Sequence, residues 1–222
     1  MTRRTARSYR VATALAGLVV VGAAAACTAP ATATVHDEVA WDDGTGPTGS
    51  AEEDPRVEAV RRYDTLVKAS TNELDLTDSR LAEVTTPEWI ATKGDRLRSD
   101  VESRELELWE GPSDMTVVDV SGSGDEATVL MCSRLPTWWA WDDDASEVVE
   151  RSRDTGAFEH DTYELVRVDD RWLVDSARWG YGPDPDSSCD PGAEVPVGRF
   201  TTAPDLDLLT TASVDDVAVP SS

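Results

Sequence analysis

The chain reads as an α+β domain, and three observations carry that reading. Two amphipathic stretches come first, each opened by a capping residue before proline, Asp54-Pro55 and Thr86-Pro87. Long β-rich runs separated by turn signals follow them, between Met115 and Trp179. Helices gathered ahead of strands, rather than alternating with them, indicate helices packed on an antiparallel sheet. The chain has 222 residues, of which 40% are apolar, enough for one domain with a core of its own plus appendages.

The first helix starts at Pro55, with Val57, Val60, Tyr63 and Val67 at helical spacing and Arg61, Arg62 and Lys68 on the other side. A short segment after Thr77 offers Leu81 and Val84 as its apolar pair. From Pro87, Ile90, Leu97, Val101 and Leu108 mark one stripe of a longer helix ending near Arg104, and Gly111-Pro112 closes the helical half. Residues 115–120 are β-rich, 121–125 supply a turn, and 126–133 alternate Ala127, Val129 and Met131 against Thr128, Leu130 and Cys132. Two longer runs, 158–168 and 171–179, flank Asp169-Asp170, a two-residue hairpin signal. The domain is therefore expected over 55–189, between a flexible acidic tether (27–54) and a disordered tail rich in Pro, Gly, Thr and Asp (190–222).

The N-terminus reads as an address. Arg3, Arg4, Arg7 and Arg10 precede an apolar run over 11–26 in which Thr13 is the only polar side chain. The run is too short to span a bilayer and ends in small residues, as a signal peptide over 1–26 does. The stretch Ala24-Ala25-Ala26-Cys27 resembles the bacterial lipobox, although Ala24 stands where Leu is usual. That resemblance implies lipidation of Cys27 and anchoring by two or more acyl chains on the extracytoplasmic face of the membrane. Cleavage at Ala24-x-Ala26 with plain secretion is the alternative. Three cysteines is an odd count, and giving Cys27 to lipid leaves Cys132 and Cys189 as one pair in an oxidising compartment. Free thiols or a redox pair are the alternatives to a structural disulfide, but no C-x-x-C spacing is present.

Composition excludes several function classes. Acidic residues outnumber basic ones 44 to 20, a net charge of −24, which repels phosphate backbones and argues against nucleic acid as a partner. Two His and three Cys leave too few ligands for a zinc site, so no metal is expected. There is no Gly-x-Ser-x-Gly elbow, phosphate loop or His-Glu-x-x-His, and neither a cofactor nor a catalytic set is assigned.

The order of elements, with "DVSGSGDEATVLMC", then "YELVRVDDRWLVDSARW" and a closing "SSC", resembles the NTF2-like lipoproteins of high-GC Gram-positive bacteria. Eighteen Arg against two Lys suit such a genome. The resemblance covers about 55–189 and implies a cone, a curved antiparallel sheet wrapped around helices, often with an internal pocket. Enzymes of that fold place an acid or base in the pocket. Here Tyr63 and Asp64 on the first helix, and Asp175 and Arg178 on the last strand, are the polar residues able to take that part. The most unusual local feature is Trp138-Trp139-Ala140-Trp141, read as a loop whose indoles either contact a ligand or fold back as a lid. The acidic triplet after it lacks the interleaved spacing of a calcium loop.

The function expected first is a membrane-tethered, noncatalytic module that binds a small ligand or protein partner through the pocket mouth and the Trp segment. A small-molecule lyase, isomerase or hydrolase working by acid–base chemistry is the second reading, and cell-wall carbohydrate binding by stacked indoles the third. The anchor is directly testable. Cys27→Ala should release the protein from the membrane fraction into the medium or leave uncleaved precursor; release of wild type and variant alike would remove the lipid anchor.

Overall fold

The computed structural model describes residues 34–42, 44, 46–48, 53–152, 159–180, 189 and 196–220. Cys27 and the expected signal peptide lie outside the described residues. The architecture is α+β. In chain order it runs β1 (Val39–Trp41), α1 (Pro55–Asn72), α2 (Pro87–Ser103), β2 (Glu107–Trp109), β3 (Asp114–Ser123) and β4 (Glu126–Arg134). Then follow β5 (Trp138–Asp142), β6 (Glu147–Arg151), β7 (Glu159–Val168), β8 (Arg171–Arg178), β9 (Gly198–Phe200) and a one-turn α3 (Leu208–Thr211). Among the described residues the named strands pair antiparallel, in a four-stranded sheet β3-β4-β7-β8, a three-stranded sheet β2-β5-β6 and the pair β1-β9, with isolated parallel bridges at Asp75–Ala218 and Thr85–Val174.

Both long helices begin where their caps require. Asp54 Oδ1 accepts from the Arg56 amide at 2.9 Å and Thr86 Oγ1 from that of Trp89 at 3.3 Å, each with proline at the first helical position. Arg104 ends α2 with φ 60°, so the chain reverses and Leu108, expected on the helix stripe, is instead a fully buried residue of β2. The β7–β8 turn is set by Asp169 and Asp170, both at positive φ (48° and 63°), the backbone that a two-residue hairpin needs.

Val57, Val60, Tyr63, Leu66, Ile90 and Leu97 from the helices meet Met115, Val129, Met131, Tyr163, Leu165 and Val174 from the sheet in one core. Ala127, Val129 and Met131 face it by the period-2 rule, and Cys132 lies on β4 beside Met131. Register breaks in β3 (between Val117 and Asp119) and between β7 and β8 (at Glu164 and Leu165) bend these strands. Cys132 and Cys189 meet with their Cα atoms 5.6 Å apart and their sulfurs at bonding distance. A bridge there closes 57 residues of sequence, worth about 4 kcal/mol in the chain-entropy account.

Two expectations are corrected. The Trp segment is strand β5, not a loop: aromatic residues suit a pleated strand, and Asp143–Ser146 supplies the hairpin turn into β6. The flanking segments are also ordered where described. β1 pairs with β9; Val35 and Phe200 are buried with Ala69; and Leu209 and Val217 enter the main core. The Leu76 amide donates to Ala218 O at 2.9 Å, and the Ala218 amide to Leu74 O at 2.8 Å. Few apolar residues among many polar ones disguise these contacts in the sequence, because each short stretch buries only one or two side chains.

β9 fits where it does because Gly111 has no side chain. A Cβ there would stand 2.1 Å from the carbonyl oxygen of Gly198. Gly111→Ala should therefore displace β9 and cost roughly 1–3 kcal/mol, as overpacking against backbone does. Denaturant unfolding measures it, and an unchanged midpoint would mean that the β1–β9 pair contributes nothing to stability.

Candidate functional site

A cavity of ≈ 830 Å³ lies among α1, α2, β2, β5 and the residues next to β7 and β8. Its wall includes Tyr63, Asp64 and Lys68 from α1, Lys93 and Asp100 from α2, Glu107 and Trp109 from β2, Trp141 from β5, and Trp179. Lys68 and Lys93 are the only lysines in the chain.

The inner wall is a closed polar network. Lys68 Nζ stands 2.5 Å from Asp64 Oδ1, one helical turn away, and donates to Ser113 Oγ at 2.5 Å. The Ser113 amide donates to Asp64 Oδ2 at 2.7 Å, so the carboxylate is held from two directions. All three side chains are buried. Lys68 Nζ also lies 5.2 Å from the centroid of the Trp109 ring, a cation–π distance. Beside it, Trp89 Nε1 donates to the Tyr63 hydroxyl at 2.6 Å, and Tyr63 meets Tyr163 edge-on at 6.3 Å between centroids. Burial pushes the Tyr63 phenol far above its ordinary value, so it stays neutral.

Lys93 is placed differently. It projects one turn beyond Trp89, with Nζ 3.7 Å from the centroid of the Trp179 ring and 5.3 Å from that of Trp89. Burial brings its ammonium down from 10.5 to about 7, helped by the positive charges of Arg96 and Lys68; Asp64 and Asp100 pull the other way. Nearby carboxyls move oppositely. Burial raises Asp100 and Glu107 above the usual carboxylate range, and the two repel each other, which adds to the rise at Glu107.

At the rim, Asn72 clamps β2 to α1: its amide donates to Trp109 O and its oxygen accepts from the Trp109 amide, both at 2.8 Å. The Trp109 and Trp138 rings lie 5.9 Å apart, and Trp141 Nε1 donates to Asp143 Oδ1 at 2.8 Å.

Of the residues singled out from sequence, the structure brings Tyr63, Asp64 and Trp141 to the cavity. Trp138 stacks on the wall residue Trp109, while Trp139 packs against the main core. Asp175 and Arg178 do not belong to the cavity. Asp175 accepts from Thr86 Oγ1 at 2.8 Å, and Arg178 pairs with Glu164 at 2.5 Å on the exposed face. The register break explains it: Glu164 pairs with Ser176 and Leu165 with Val174, so Asp175 is the extra residue, and Val174 and Ala177 on either side of the break are both buried. Lys68, assigned to the solvent side of α1, is buried instead. The signal for both lysines was compositional: a chain that uses arginine nearly everywhere keeps lysine at two positions only, and both line one cavity.

No protein-family model matches the sequence, and no curated protein matches it. Two solved structures are similar at low level. One is the intermembrane space region of the chloroplast protein ARC6, 13% identical with a TM-score of 0.36, covering 61% of this chain and 100% of that one. The other is Rv3472, a protein of unknown function from Mycobacterium tuberculosis, 13% identical with a TM-score of 0.30, covering 68% of this chain and 84% of that one.

The Asp64–Lys68 pair has a stability signature. Lys68→Met strands a buried carboxylate and should cost roughly 3–5 kcal/mol. The double variant Asp64→Leu, Lys68→Met leaves no lone charge and should recover most of that loss in urea unfolding. A double variant as unstable as the single one would show that the ion pair is not what the site needs.

Proposed function

We propose that this chain is an NTF2-like, lipid-anchored extracytoplasmic module that binds a small molecule in the cavity between its helices and the β2-β5-β6 sheet. The observation that carries the reading is the cavity itself. It is ≈ 830 Å³, within the range of small-molecule sites, and its lining sets three indoles, Trp109, Trp141 and Trp179, among many charged side chains of both signs. The NTF2-like assignment is supported by helices preceding a bent antiparallel sheet. The extracytoplasmic address is supported by the apolar run ending at Cys27 and by a cysteine pair suited to an oxidising compartment. Binding is favoured over acid–base catalysis by Asp64, Lys68, Ser113 and Tyr63, whose polar atoms are already satisfied by one another or by Trp89.

A second reading, a small-molecule lyase, isomerase or hydrolase, is favoured by Asp100 and Glu107, whose raised carboxyls suit proton transfer. The carbohydrate reading needs a flat row of indoles, and Trp138, Trp139 and Trp141 are all partly buried.

The test uses 8-anilinonaphthalene-1-sulfonate as the probe, followed by energy transfer from tryptophan. Saturable binding to the folded protein should weaken in Trp141→Ala and in Thr71→Phe, which fills the cavity, with the melting temperature nearly unchanged. Trp139→Ala should instead destabilise by roughly 3–5 kcal/mol, as loss of a core-packed indole does. Probe affinity indifferent to both cavity variants would overturn the binding site.

A further inference from the structure

The two lysines sit in the same cavity but in opposite chemical circumstances. Lys68 is engaged on both sides: its Nζ donates to Asp64 Oδ1 and to Ser113 Oγ, and all three side chains are buried. Lys93 makes no ion pair or hydrogen bond among the described residues. Its neighbours are two aromatic faces, Trp179 at 3.7 Å and Trp89 at 5.3 Å, and the cavity. An amine in that position is only partly exposed, oriented by its helix and not blocked by a carboxylate; the two indole faces favour its charged form, and the desolvation and positive neighbours described above oppose that. Such an environment turns a lysine from a solvated point charge into a nucleophile.

We propose that Lys93 is a reactive amine that captures an aldehyde in the cavity as an imine. The aldehyde class that fits has a flat aromatic or unsaturated body, because Trp109, Trp141 and Trp179 line the same space. The Lys93 nitrogen lone pair attacks the carbonyl carbon, forming the C–N bond while the π electrons move to oxygen. That oxygen takes one proton from nitrogen to give a carbinolamine. Loss of the hydroxyl with the second nitrogen proton, as water, leaves the C=N bond. Amine and aldehyde become imine and water, with nothing oxidised or reduced. The capture rests on the cavity reading above and names what that cavity takes.

The charges lining the cavity shape its pH dependence. Arg96 and Asp100 lie on the same helix as Lys93, with Arg104 and Glu105 just after it; Asp64 and Lys68 belong to α1, Glu107 to β2, Arg151 to β6 and Glu159 to β7, and Asp143 follows β5. The positive neighbours Arg96 and Lys68 add to desolvation in favouring the neutral amine, and Asp64 and Asp100 resist it, with the balance at about 7. The neutral, attacking form is therefore populated at physiological pH, whereas an ordinary lysine is almost wholly protonated there.

The experiment is reductive trapping of the intact protein with benzaldehyde and sodium cyanoborohydride, with peptide mass mapping over a range of pH. Lys93 should carry the benzyl group about tenfold or more faster than Lys68 and than N-acetyl-lysine at pH near 7.5. Its labelling rate should be half-maximal at a pH of about 7. Lys93→Met, which removes the amine without placing a fixed charge among Arg96 and Lys68, should abolish the fast adduct while preserving the melting temperature, and unfolding in urea should erase the preference. Equal labelling of the two lysines, a Lys93 rate matching the free amino acid derivative, or a midpoint at the ordinary lysine value would each overturn the capture. This outcome is separable from the binding test: a saturable dye site with an inert Lys93 refutes the imine alone, and a fast Lys93 with no dye site refutes the broader ligand cavity alone.

Discussion

The cavity side of this domain depends on an ammonium held inside the protein. Lys68 reaches inward from α1, and burying its charge is tolerable only because Asp64 lies one turn before it and Ser113 comes to meet both. Ser113 stands immediately before β3, so satisfying that charge also fixes where the four-stranded sheet begins relative to the helix. Asn72, one turn further along α1, holds β2 through both amide contacts with Trp109. Helix, first sheet and second sheet are therefore registered against each other by polar contacts from a single helix face. The apolar core alone would permit the layers to slide, since hydrophobic contact is nondirectional.

That arrangement separates two roles that look alike on paper. Tyr63, Asp64 and Lys68 resemble a set of acid–base groups, yet each is occupied in building the wall. Lys93, Asp100 and Glu107 lie closer to chemistry because their ordinary charge states are disfavoured without a compensating contact strong enough to restore them.

The sequence made the framework readable where signals were local. Asp54-Pro55 and Thr86-Pro87 mark the helix starts through chemistry confined to four residues, and Asp169-Asp170 marks the hairpin through its own backbone preference. Ala127, Val129 and Met131 expose their facing by simple alternation. What escaped was nonlocal. Nothing near Lys68 indicates that Ser113, 45 residues on, will accept from it, so an i,i+4 pair on an amphipathic helix passes for a surface ion pair. The three indoles of β5 were visible as a cluster, but their distribution between cavity, stacking partner and core depends on β2 and β6, which are too short to announce themselves. Asp175 and Arg178 were misplaced for a related reason: a register break opposite β8 decides which of its residues face inward.

The pairing of β1 with β9 has a mechanical side. Val35, just before β1, is held at both backbone groups: its amide donates to Asp78 at 3.1 Å, and its carbonyl accepts from Arg80 at 2.8 Å. Arg80 also grips Asp37 at 2.7 Å. In a protein moored through its N-terminus, tension drawn along the chain would reach this clasp before it reached α1 or the cavity. Three residues of ladder and one arginine would yield first, leaving the large core to carry no load until they had parted. Under such a pull the clasp would act as a strain relief between the N-terminal side of the chain and the core that walls the cavity.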